Sequence, residues 1–173
     1  MFEKISDVIN TIVEYLTTLM MGVLLIIVLI QSGARYVFGV STPWTAEIAM
    51  YLMVWIALVG SSMIIKEDKH AAILFFLNKF SDRNKIIIKL INNLVIIFFL
   101  VVLTYHGYFY AINNWHSISP ATGLPRTYGY LSLSVGGAIM LFQILFNTYT
   151  GINSLITGDY DVEVKIIDEE LGI

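Results

Sequence analysis

Apolar positions in this chain do not alternate with polar ones as on a surface helix; they run together. Four stretches contain no Asp, Glu, Lys or Arg: Tyr15–Ala34, Ile48–Ile65, Leu90–Pro125 and Thr127–Gly158, of 20, 18, 36 and 32 residues. A hydrocarbon core about 30 Å thick is crossed by roughly 20 apolar residues of helix, so each stretch supplies one crossing and none comfortably supplies two. The pattern predicts an all-α integral membrane protein with four transmembrane helices, over residues 15–35, 46–66, 88–112 and 128–150.

Shorter amphipathic segments lie between and before the spans. In residues 1–14, Phe2, Ile5, Val8, Ile9, Ile12 and Val13 recur at helical spacing opposite Glu3, Lys4, Asp7, Asn10 and Glu14. This segment reads equally as a helix lying in the membrane interface or as an extension of the first span into the cytoplasm. Residues 70–82, with Ile73, Leu74, Phe75, Phe76, Leu77 and Phe80, are too short to cross and too apolar to float, which predicts a cytoplasmic interfacial helix. An acidic tail follows over residues 158–173. No small-x-small cleavage site closes the first apolar run, so it is expected to stay as an anchor.

Charge fixes the expected orientation. Lys4, Lys66, Lys69, Lys79, Arg83, Lys85, Lys89 and Lys165 fall on one side of the spans, against Arg35 and Arg126 on the other. Because positive loops resist translocation, both termini and the middle loop are expected in the cytoplasm. Tyr15, Tyr36, Trp44, Tyr105, Trp115, Tyr128 and Tyr149 fall near the span ends, as an interfacial aromatic belt requires. On the outward side, Thr42 and Pro43 have the chemistry of a helix cap and first helical position, with Glu47 near the positive end of the dipole. The second outward loop, Ile118–Arg126, holds Pro120, Gly123 and Pro125 and is expected to be an ordered turn.

Composition narrows the chemistry. The chain is 57% hydrophobic and 13% charged, with net charge -3 and no cysteine. A soluble globule and a nucleic-acid binder are poor readings, and disulfides, thiolate metal sites and thiol nucleophiles are excluded. Coupled transporters need ionisable groups at depth, and the one such group inside a span is His106, read here as a hydrogen-bonded structural residue. A haem between histidines fails on depth: His70 lies past the end of span two, whereas His106 is about 25 Å along span three from Lys89 and His116 is in the outer loop. Ser61, Ser62, Ser132 and Ser134 have no acid beside them at depth and read as small contact residues, as do the steps Ala57/Ser61, Gly107/Ala111 and Ser132/Gly136. No catalytic, cofactor or metal ligand set is evident. Work through contact with another membrane protein is the expectation that remains, with Arg35, Gln31, Asn92, Asn93 and Gln143 as polar groups for a lateral interface.

Arg35-Tyr36-Val37-Phe38-Gly39, then Pro43-Trp44 and Glu47, then an aromatic-rich span through Tyr51 and Trp55 to Gly60, resembles the first half of the small membrane subunit of tripartite ATP-independent periplasmic (TRAP) transporters, the DctQ family. Lys66-Glu67-Asp68-Lys69 running into His70, and Gly123-Leu124-Pro125 before the last span, continue the resemblance over roughly residues 5 to 150. Where the family often has a second acid beside the position of Glu47, this chain has Ala46. The resemblance implies a complex with a large multi-span permease subunit and a periplasmic substrate-binding protein. It also implies ion-gradient-driven import, usually on sodium, of an organic acid such as sialic acid, with substrate and ions bound in the large subunit. In that frame Arg35, Trp44, Glu47, Trp55 and His70 are candidate subunit-interface residues and Arg126 a candidate contact for the binding protein; membrane lipids are further partners. A membrane anchor of a redox enzyme and a stand-alone small transporter are the alternative readings.

Overall fold

The computed structural model describes residues 2–66 and 82–157, which form four helices: α1 (Phe2–Tyr36), α2 (Pro43–Lys66), α3 (Asp82–Asn113) and α4 (Thr127–Thr157). All four are long and apolar enough to cross a membrane, giving the expected all-α four-span protein. Residues 2–14 continue into the first span without a break, so α1 has 35 residues and reaches about 52 Å at 1.5 Å per residue. That exceeds the hydrocarbon thickness, as do the 32 residues of α3 and 31 of α4, so these helices tilt or project beyond it. The expected interfacial helix over 70–82, apart from Asp82 at the start of α3, and the acidic tail lie outside the described residues.

Successive helices run antiparallel, with the described ends at residues 2, 66, 82 and 157 together at one end, here the terminal end, and the connections 37–42 and 114–126 at the other, the loop end. In space the order is α1, α2, α4, α3: α4 packs extensively on α2 and α3, α1 lies along α2, and α1 only brushes α4. Because α4 has neighbours on both flanks it carries the core, and its sequence shows why. Small residues Gly129, Ser132, Ser134, Gly136 and Gly137 are buried along its first half, which lets backbones approach where lipid offers no hydrophobic drive to bring helices together. A Cβ on Gly136 would sit 2.8 Å from Leu58 Cβ and 3.0 Å from the Leu58 carbonyl carbon of α2; one on Gly107 of α3 would sit 2.7 Å from Leu133 Cβ. Two of the three expected small-residue steps, Gly107/Ala111 and Ser132/Gly136, thus lie in helix contacts. In the third, Ala57 faces outward and Ser61 donates its hydroxyl to the Ala57 carbonyl at 2.6 Å.

Deeper toward the terminal end the packing becomes larger, with Ile65, Leu100, Met140 and Ile144 forming the apolar core. Polar contacts are interleaved with it. Gln143 and Asn93, expected at a lateral interface, are instead inside the bundle, at 0% and 1% exposure. For Gln143 the physical reason is that an amide facing hydrocarbon has no partner at all, whereas on the central helix its oxygen accepts a 2.6 Å hydrogen bond from Ser6 of α1; pairing does not explain the burial of Asn93, whose amide has no hydrogen-bond partner among the described residues. Asn147, one turn further on, donates through Nδ2 to the Ile65 carbonyl at 2.6 Å. That carbonyl belongs to the last turn of α2, where the helix cannot satisfy its own acceptors. Replacing Asn147 by Leu is therefore expected to cost about 1–3 kcal/mol, read as a lowered midpoint in equilibrium unfolding from micelles, because the acceptor stays buried without its donor. The Lys66–Asp7 ion pair at 2.7 Å ties the same ends of α1 and α2, but its solvent-exposed carboxylate limits it to about 0–1 kcal/mol.

Candidate functional site

At the loop end the side chains of α2 and of the 114–126 connection meet on one carboxylate. Thr42 precedes Pro43, the first residue of α2, and its hydroxyl lies 3.0 Å from that of Thr45, which also donates to the Thr42 carbonyl at 2.6 Å. With the helix start held in this way, Glu47 and Tyr51 follow one and two turns in, on the same face, and the Tyr51 hydroxyl donates to Glu47 Oε1 at 2.6 Å. Glu47 Oε2 accepts from Ser119 in a short hydrogen bond and from Thr122 at 3.1 Å.

The connection that presents those hydroxyls is ordered by its own backbone. Ile118 and Pro125 form an isolated antiparallel bridge, Ser119 N–H donates to the Leu124 carbonyl at 2.9 Å, and Gly123 N–H donates to the Ser119 carbonyl at 2.9 Å. Gly123 has φ 72°, a left-handed conformation in which a side chain is strained, and this is what turns the chain back toward Pro125. Ser119 is buried; its oxygen accepts from Ala121 N–H at 3.2 Å while its hydrogen goes to Glu47. The tight turn expected from Pro120, Gly123 and Pro125 is thus clasped to α2 by Glu47.

Two more contacts fasten the same end. Trp55 donates its indole N–H to the Tyr128 carbonyl at 2.8 Å, in the first turn of α4. Thr127 donates to the Ala111 carbonyl at 2.8 Å, joining the start of α4 to the end of α3. Gly129 makes room for the Tyr51 ring, since a Cβ there would lie 2.8 Å from it. Beside the clasp a cavity of about 440 Å³ is lined by Glu47, Tyr51, Ser119, Arg126, Met50 and Tyr130. Arg126 faces this cavity without an ion pair to Glu47.

The residues singled out from sequence therefore separate. Glu47 and Trp55 are engaged within the chain, and Arg126 lines the cavity at their side. Arg35 opens on a different cavity at the α1–α2 connection, and Trp44 is 42% exposed. His70 lies outside the described residues. Ser119, Thr122 and Asn147 were not foreseen: Ser119 and Thr122 are 72 and 75 residues from Glu47, beyond any local signal. Tyr51 could have been paired with Glu47 by its spacing of four on a helix. Chemically, a carboxylate holding three hydroxyl donors is a structural clasp.

Residues 24–153 match the family described as tripartite ATP-independent periplasmic transporters, DctQ component. The chain belongs to the DctQ family. This DctQ-family chain is similar to the sialic acid TRAP transporter small permease protein SiaQ of Vibrio cholerae, 28% identical over 98% of this chain and 96% of that protein. It is also similar to the C4-dicarboxylate TRAP transporter small permease protein DctQ of the same organism, 21% identical over 99% of this chain and 86% of that protein. With four helices able to span, the DctQ-family chain is a small permease subunit of a TRAP transporter and a multi-pass protein of the bacterial inner membrane. Its family is one of transport components, not of enzymes.

Proposed function

We propose that this subunit is a rigid scaffold for the large permease subunit during ion-gradient-driven import of an organic acid delivered by a periplasmic binding protein. Sodium is the proposed coupling ion, and the similarity to SiaQ favours sialic acid over C4-dicarboxylates as cargo. Both termini lie in the cytoplasm in this reading, on the eight-against-two division of cations. The loop end, with the Glu47 clasp and Arg126, then faces the periplasm, where Arg126 is available to the binding protein.

The observation that carries the scaffold role is the contrast between the flanks and the core. Polar groups such as Gln143, Asn147 and Glu47 are used to lock the chain to itself, whereas α1 and α3 leave long apolar surfaces uncovered. The two surfaces differ in kind. Along α1 the exposed run is aliphatic, including Leu19, Leu25, Ile26 and Leu29, and suits lipid. On α3, Phe99, His106, Tyr110 and Asn113 line one groove, and an exposed imidazole within a span is expensive against hydrocarbon. In this reading the large subunit sits on the α3 groove. His106, expected from sequence to be hydrogen-bonded within the chain, has an edge-on Tyr105 ring at 5.3 Å as its neighbour, which leaves its polar atoms for a partner.

Cysteines at Phe99 and His106, compared with cysteines at Leu29, Arg35 and Trp44, test this in cells producing both permease subunits. The α3 positions are expected to crosslink to the large subunit. Crosslinks confined to Leu29, Arg35 and Trp44 would move the interface to the opposite flank, and none anywhere would remove the scaffold role.

A further inference from the structure

The cavity between the end of α1 and the start of α2 has a chemistry that the scaffold role does not use. It is about 480 Å³ in volume and lined by Gln31, Arg35, Ser41 and Thr42, with Gly39 and Val40 closing one side. Every polar side chain in that lining can donate a hydrogen bond, and there is no carboxylate among them. Arg35 forms no ion pair among the described residues. Glu47, the nearest acid in sequence, is not in the lining, and its carboxylate is held by Ser119, Thr122 and Tyr51. A single cation in a nook of donors calls for an anion.

The surroundings say which kind of anion. Immediately after Arg35 come Tyr36, Val37 and Phe38, at 83%, 74% and 76% exposure, and then the exposed Val40. The connection is folded so that Val40 N–H donates to the Ala34 carbonyl at 2.9 Å, with Gly39 at φ 66°; Val40 lines the cavity itself, and Tyr36, Val37 and Phe38 join it in sequence to Arg35. An apolar and aromatic rim this exposed is unfavourable in water and suited to the boundary between headgroups and acyl chains, the depth at which α1 ends. A soluble anion would use the donors and leave the rim unused.

We propose that this cavity is a phospholipid site, in which Arg35, assisted by Gln31 and Ser41, holds the phosphodiester of one membrane lipid while Tyr36, Val37 and Phe38 pack against its glycerol and upper acyl chains. The chemistry is that of a guanidinium on phosphate, planar and able to make two hydrogen bonds, and it does not distinguish headgroups by any further contact. The site also fits the flank of the molecule that its aliphatic α1 surface gives to lipid.

Native mass spectrometry of the full chain in detergent tests the proposal with three probes: dioleoylphosphatidylglycerol, dioleoylglycerol, which lacks the phosphate, and glycerol 3-phosphate, which lacks the chains. One phosphatidylglycerol is expected to remain bound, with occupancy reduced about fivefold in Arg35→Gln and by less in Arg35→Lys, which keeps the charge but not the two-pronged hydrogen bond, while the other two probes bind poorly. Far-ultraviolet circular dichroism identifies any variant that fails to fold, and Gln31→Leu, expected to lower occupancy about threefold, then serves in place of Arg35→Gln. Equal phosphatidylglycerol occupancy in folded wild type and variant overturns the proposal. So does dioleoylglycerol binding as well as the phospholipid. Glycerol 3-phosphate binding as well as the lipid replaces it with a soluble-anion site.

Discussion

Gly136→Val is expected to destabilise the protein by about 3 kcal/mol or to prevent folding altogether, measured as the unfolding midpoint in a micellar denaturation series. The cause is the approach of α2: a Cβ at this position meets Leu58 Cβ at 2.8 Å, the Leu58 carbonyl carbon at 3.0 Å and its oxygen at 3.1 Å. Two of those atoms are backbone, so no rotamer change relieves the clash and the helices must separate. Separation opens the contact that holds α4, the central helix, to half of the bundle. Gly22 on α1 is the internal control, because a Cβ there meets nothing within 4 Å. Gly22→Ala should be neutral or stabilising by up to about 1 kcal/mol, the ordinary helix preference of Ala over Gly. If the two substitutions behave alike, close α2–α4 packing is not what these glycines are for.

Glu47→Ala is expected to release the 114–126 connection from α2. Three hydroxyls lose their acceptor, and the one on Ser119 is buried; the global cost is about 1–2 kcal/mol, at the low end for bonds to a charge because Glu47 itself is only half-buried. The local effect is larger than the global one. Hydrogen exchange at the Ser119, Gly123 and Arg126 amides, which close the turn onto itself, should accelerate about tenfold as the turn opens independently of the helices. Glu47→Gln keeps one carbonyl oxygen for Tyr51 and presents an NH2 group that can donate to the Ser119 and Thr122 oxygens while their own hydrogens lose the carboxylate, so its effect on the loop should fall between wild type and Glu47→Ala. Unchanged exchange in both variants would show that the backbone hydrogen bonds of the turn suffice and that the clasp is incidental. In the scaffold reading, loss of the clasp also weakens import in the assembled transporter, because the loop end no longer offers one fixed surface.

The spans were legible because their signal is additive and local. Twenty or more uncharged residues in succession have one stable fate in a bilayer, whichever neighbours they meet. The turn after α3 was legible for a similar reason, since Gly123 and its flanking prolines restrict the backbone before any tertiary contact forms. The candidate site was legible in half. Pro43 and Glu47 mark a helix start by their own chemistry, and Trp44, Trp55 and Arg126 stand out by type, but nothing near Glu47 indicates that Ser119 and Thr122 will supply its hydrogen bonds. Asn93 and Gln143 were misplaced for the same reason: a polar residue in an apolar run looks alike whether it faces a partner protein or its own bundle.

Sequence alone determined the number of crossings, the absence of charge within their central stretches and the division of cations between the two sides, because each depends on transfer of residues from water to lipid and hardly on who packs against whom. Tertiary structure decided that α4 is central, that Gly136 and Gly107 are points of helix contact, that Glu47 clasps a distant turn, and that α1 and α3 are left with faces to be covered. Those outcomes depend on which helices become neighbours, and in a bilayer the neighbours are chosen by close backbone approach and by the pairing of a few buried polar groups. Both are properties of two surfaces at once, which no single stretch of sequence contains.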